Sequence, residues 1–190
     1  MNRCILPLAL LVLIASCNTD RIQYTDKLKQ EMADKKVKRV TAVQMNEAVN
    51  EWGEQIARVV QNELSSKLQQ TMATRAAAEV CQLQNLPKTQ AIATKYGARI
   101  SLLGAADIKN SNLAAKEREV LDAYLYNVEN KLPQTSNIQR IGDTLFVYNA
   151  PIPTENPICR QCFAGQTQPL AVWRIAFPKR EVVRHITIKK

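Results

Sequence analysis

Two stretches, Thr144-Leu145-Phe146-Val147-Tyr148-Asn149-Ala150 and Ala171-Val172-Trp173-Arg174-Ile175-Ala176-Phe177, are rich in β-branched and aromatic residues and read as strands. They bracket a loop punctuated by Pro151, Pro153 and Pro157, which delivers the pair Cys159-Arg160-Gln161-Cys162 followed by Phe163. Nearly everything upstream has helical periodicity. Helices first and antiparallel strands later, with a loop-borne cysteine pair between strands, predicts an α+β fold.

The helical part is dominated by one element. From Asp20 to about Gln70 there is no proline, and apolar residues recur at Val37, Val40, Val43 or Gln44, Ala48, Trp52, Ile56, Val59, Val60, Leu64 and Leu68. Steps of three and four place them on one face of a long helix with charged and amide residues opposite. That face must be covered. Either the helix packs across the domain's own sheet, or two copies pair as a short coiled coil and make a homodimer through the long helix. Helical character continues to Gln84 through Arg75-Ala76-Ala77-Ala78-Glu79-Val80-Cys81, with Cys81 on the side of Ala77 and Ala78, until Pro87 breaks it. Lys88 to Tyr96 reads as a helix stopped by Gly97, Ala98 to Leu103 as a strand, and Asn110-Ser111-Asn112 as a turn. Leu113 to Asn130 returns to helix, with Leu113, Val120, Leu121, Tyr124 and Leu125 on a buried face, and Pro133 closes it.

The N-terminus sets the expected compartment. Arg3 is a short positive region, Ile5 to Ala15 is an apolar run interrupted by Pro7, and Ile14-Ala15-Ser16-Cys17 resembles the bacterial lipobox. A run of about a dozen residues is too short for a hydrocarbon core of roughly 30 Å, so residues 1–16 read as a lipoprotein signal peptide and Cys17 as the lipid-modified first residue of the mature chain. Residues 17–38 then form a polar spacer, and 39–190 a single domain that includes its long leading helix. The expected location is the cell envelope, facing the periplasm and held to a membrane by the lipid on Cys17. The net charge of +9 is spread from Arg21 to Lys190 and is not interleaved with aromatics, which argues against nucleic-acid binding and for a solvated basic surface.

Of five cysteines, Cys4 leaves with the signal peptide and Cys17 takes the lipid, so the fold has Cys81, Cys159 and Cys162 to use. Two thiols three residues apart suit a vinyl-linked haem, a metal or a short disulfide. A histidine at 163 would complete C-x-x-C-H, but Phe163 has no lone pair to donate. An ordered set of residues carries a resemblance: Val80-Cys81-Gln82 in an Ala-rich helix, Tyr96-Gly97 at a helix end, Lys109-Asn110-Ser111-Asn112 leading to Glu119, and C-x-x-C before the last strand. This set resembles the periplasmic PAS-like c-type haem domains catalogued as domain of unknown function 3365, over about residues 62–179. The resemblance implies a long helix packed on a PAS-like antiparallel sheet with flanking helices. It also implies that Cys159 and Cys162 occupy the thioether positions and Cys81 that of the axial thiolate. The family's axial histidine has no counterpart at Phe163, and its Arg-Asn-Pro is Lys109-Asn110-Ser111 here.

Four readings follow. The leading one is an envelope lipoprotein with a PAS-like sensing or binding domain whose haem is lost or atypical. In it, Cys159 and Cys162 form a short disulfide and Cys81 stays a free buried thiol. The second is a covalent c-type haem redox or gas sensor with Cys81 as axial ligand. A third gathers Cys81, Cys159, Cys162 and His185 as a zinc site. The fourth, a thiol oxidoreductase, wants C-x-x-C at a helix N-terminus after a parallel strand, and no such pattern surrounds Cys159. Hydrolytic chemistry has no support either, since there is no Gly-x-Ser-x-Gly and no His near a nucleophile. The expected role is sensing or binding without turnover, toward an unknown small ligand or envelope protein.

Overall fold

A capping box starts the long helix. The backbone N–H of Gln44 donates to Thr41 Oγ1 (3.2 Å) and that of Thr41 to Gln44 Oε1 (3.0 Å). The computed structural model describes residues 40–70, 76–167 and 169–188, within one compact unit, Val40–Lys190. The signal-like segment 1–16, Cys17 and the spacer 17–38 lie outside the described residues. Helix α1 (Ala42–Gln70) buries Met45, Val49, Trp52, Ile56, Val60, Leu64 and Leu68, a stripe at steps of three and four. The start of the stripe is shifted one residue later than expected: Met45 and Val49 carry it in place of Gln44 and Ala48, and Val43 faces solvent at 65% exposure. The chain's own sheet and helices cover this face, so pairing of two long helices is not what buries it.

Four antiparallel strands form the sheet in the order β1-β4-β3-β2, namely β1 (Arg99–Gly104), β2 (Asn137–Ile141), β3 (Leu145–Pro151) and β4 (Ala171–Pro178). The fold is therefore α+β. Alternation along β3 and β4 sends Phe146, Tyr148, Trp173, Ile175 and Phe177 into the core shared with α1, the larger of two. Gly53 lets the helix come this close: a β-carbon there would run into the ring of Tyr148. The second core contains Val172 and Leu103 with Leu121 and Tyr124 of α4 (Ala115–Glu129). In the chain between α1 and α4 lie, besides β1, α2 (Ala76–Cys81), α3 (Pro87–Tyr96) and a 3-10 segment (Ala105–Lys109). Gly97 ends α3 at φ +59°, the left-handed conformation glycine adopts without strain.

Four elements differ from expectation. The helix read through to Gln84 ends at Cys81, followed by turns at Leu83 and Asn85 with positive φ. Strand β2 was not foreseen; it is an edge strand with its polar residues half in water, so it lacks a strong apolar alternation. The cysteine segment and the C-terminal tail are helices too: α5 (Pro157–Cys162) and α6 (Lys179–Ile188).

Glu63 joins α1 to α3. Its carboxylate accepts the N–H groups of Lys88 (2.9 Å) and Thr89 (2.7 Å) and the Thr89 hydroxyl (2.8 Å), orphan donors at the start of α3. Burial alone would raise this carboxyl's pKa. The hydrogen bonds outweigh it and hold the group below its usual 4.5. A carboxyl lowered on folding adds stability that is present above the unfolded pKa and lost as pH falls through the folded one. Glu63→Gln is expected to lower stability by about 1 kcal/mol at pH 7. That difference should shrink below pH 4.5 in urea titrations; a gap that stays constant into acid would contradict the assignment.

Candidate functional site

Asn156 and Pro157 start α5: Asn156 Oδ1 accepts the N–H of Ile158 (3.0 Å), and Pro157 occupies the first turn, where no backbone N–H is needed. On this short helix the two cysteines go to different places. Cys162 is bonded to Cys81 at the end of α2, with S–S 2.02 Å and Cα–Cα 5.4 Å across a sequence separation of 81. Cys159 points into the core, and its thiol lies 3.4 Å from the carbonyl oxygen of Pro153. The expected Cys159–Cys162 disulfide and free Cys81 are thus both corrected. The helical turn aims residue 159 at the interior and residue 162 at α2. Among the described residues the free thiol is Cys159.

In these positions the three cysteines do not converge as one ligand set. Burial, with the Glu155 carboxylate nearby, pushes the Cys159 thiol up to about 11, so at neutral pH it is neither a thiolate ligand nor a ready nucleophile. A covalent haem needs both sulfurs of the C-x-x-C pair, and the family's axial position is that of Cys81. Here Cys162 and Cys81 are spent on each other and Cys159 is enclosed. The ring of Phe163 lies against Gly104, where a β-carbon would fall 2.5 Å from it. The residues present do not fit haem. His185 lies on α6 with ring neighbours Tyr96 at 5.5 Å and Trp52 at 5.8 Å. Among the described residues no group of three or more His, Cys, Asp or Glu could hold a metal ion, so the four proposed zinc ligands do not assemble.

One concavity has almost no signal in the sequence. A cleft of about 360 Å³ opens between the C-terminal end of α4 and the loop after β3, within the size range of small-molecule sites. Leu132, Ile152 and Pro153 supply apolar wall, and Lys131, Gln134 and Glu155 supply polar groups. Lys131 has φ +54°, the position after a helix end where glycine is the low-strain choice. Its N–H donates to Val128 O (3.2 Å), and the next N–H, of Leu132, to Asn127 O (2.8 Å). Gln134 Oε1 is buried without a hydrogen-bond partner. The one sequence cue was Asn130-Lys131-Leu132-Pro133, a helix stop in which lysine stands where glycine is usual.

No protein-family model, curated protein or solved structure matches this chain.

Proposed function

We propose that this chain is a lipid-anchored envelope protein whose PAS-like α+β domain binds or senses without catalysis, and that its cysteines staple the domain instead of carrying haem. The observation that carries the reading is the disulfide between Cys81 and Cys162. Bonds of this kind persist in oxidising compartments such as the bacterial periplasm, in keeping with the lipobox-like Cys17. The same bond uses up two of the three positions that a haem-binding relative would need. An antiparallel sheet with a long helix across one face supports the PAS-like part.

The test is expression in a bacterial envelope together with a c-type cytochrome maturation system. Non-reducing peptide mapping is expected to find Cys81 linked to Cys162, Cys159 alkylated only after unfolding, and no haem-bearing peptide. Replacing Cys17 with Ser is expected to move the protein from the membrane to the soluble envelope fraction, because no helix among the described residues is long and apolar enough to span. Covalent haem on Cys159 and Cys162 would defeat the staple, and a Cys17→Ser protein still in the membrane fraction would defeat the anchor.

A further inference from the structure

We infer that the end of the domain where α6 leaves the sheet docks on a membrane surface of anionic phospholipid. The inference rests on the reading of this chain as a lipid-anchored envelope protein and adds which face the domain turns to its membrane. A cleft of about 670 Å³ opens there between the turn into β3 and the first turns of α6. Leu145, Pro178 and Val183 line it with apolar surface, and Arg99, Lys179 and Arg180 line it with cations. Asp143 is the single carboxylate of the lining, and it is paired with Arg140. Arg99 and Lys179 form no ion pair among the described residues. The contact of Arg180 with Glu181, at 3.5 Å, is made by a side chain 86% exposed, where such a pair holds little. Glu47 and Glu51, exposed acids of α1, are not among the residues that line the cleft.

Apolar surface bordered by cations without partners complements the boundary between headgroup and acyl chain in an anionic leaflet. Each Lys or Arg near such a surface is attracted on its own, so no fixed spacing between the cations is needed. The direction of the chain puts this end of the domain nearest the proposed anchor. Helix α3 runs back along α1: its start, at Lys88 and Thr89, bonds Glu63, and at its end the Tyr96 hydroxyl donates to Gln55 Oε1 at 3.3 Å. Passing from Glu63 to Gln55 is passing toward the first residue of α1, and Arg99 follows Tyr96 by three positions. The end of β4 comes to the same place, since the ring of Phe177 lies 6.4 Å from that of Trp52. The start of α1, through which the chain leads back to Cys17, is thus at the end of the domain that carries the cleft.

The experiment is co-sedimentation of the mature chain, residues 17–190 with Cys17→Ser and so without acyl chains, with vesicles of phosphatidylcholine alone or with about one-third phosphatidylglycerol. The anionic vesicles are expected to bind it tighter by roughly tenfold or more, and rising salt to release it. The triple variant Arg99→Gln, Lys179→Gln, Arg180→Gln should lose roughly fivefold for each cation, on the order of a hundredfold together. A control triple, Lys109→Gln, Lys116→Gln, Lys131→Gln, removes exposed cations outside the cleft and should lose no more than about threefold. Lys35, Lys36, Lys38 and Arg39, ahead of α1, are present in both triples, so binding that survives loss of the cleft cations is theirs and overturns the inference. Equal losses in the two triples, or no preference for anionic vesicles, overturn it as well. So do saturable binding of free octanoate without vesicle binding, which gives the cleft to a soluble acid, and a dimer that the cleft triple dissolves, which gives it to a second copy. Anchor and docking face fail separately: a high-salt wash strips a protein held by surface charge and not one held by acyl chains, so the Cys17→Ser fractionation is read after that wash.

Discussion

Replacing Cys81 with Ala is expected to lower the free energy of unfolding by roughly 4 kcal/mol, because the bond to Cys162 closes a loop with a sequence separation of 81 and such cross-links mainly restrict the unfolded chain. The double variant Cys81→Ala, Cys162→Ala should lose about as much without leaving a stray thiol. In urea titrations, reductant should bring wild type down to the level of the variants and leave the variants where they are. A wild-type midpoint indifferent to reductant would show that the staple is absent in solution. Cys159→Ala should behave differently: it removes a small buried group, and reductant should still destabilise the variant as it does wild type.

A comparably large loss is expected at the opposite face of the sheet. Arg174, on β4, donates through Nε to Glu117 Oε1 at 2.7 Å, and both side chains are largely buried, at 13% and 5% exposure. The second oxygen of Glu117 accepts the N–H of Ala114 (3.0 Å) at the start of α4, so the carboxylate ties that helix to the sheet's centre. Arg174→Met leaves a buried carboxylate without its cation, a change that typically destabilises by about 3–5 kcal/mol. Pairing it with Glu117→Gln should recover much of that loss, since removing both charges also removes their desolvation cost. Single and double variants that lose the same amount would mean that the residues act through packing and not as a pair.

The parts of this fold legible in the sequence are those with dense local signals. The strand around Trp173 and the long helix through Trp52 each repeat a periodic pattern over many residues, and Gly97 stops α3 by its own backbone freedom. Strand β2 escaped because Asn137-Ile138-Gln139-Arg140-Ile141 is an edge strand whose partner on one side is water. Helix α6 follows β4 directly, and Pro178 at the junction is the single local sign of the change from strand to helix period. That the three cysteines matter was readable; which two pair was not, because pairing depends on where α2 ends relative to α5 and spacing along the chain carries none of that. The cleft at Lys131 and Gln134 joins a helix end to a distant loop and has no local motif.

The order of the strands has a temporal consequence. β4 is the last of the four in the chain, yet it sits between β1 and β3 and is the partner of both. A ribosome or an export channel that delivers this polypeptide from its N-terminus therefore releases β1 long before anything exists for it to pair with. The β2–β3 hairpin can form meanwhile, but the sheet cannot close until Phe177 has emerged. The domain is thus expected to mature in one late step and to resist premature folding during delivery.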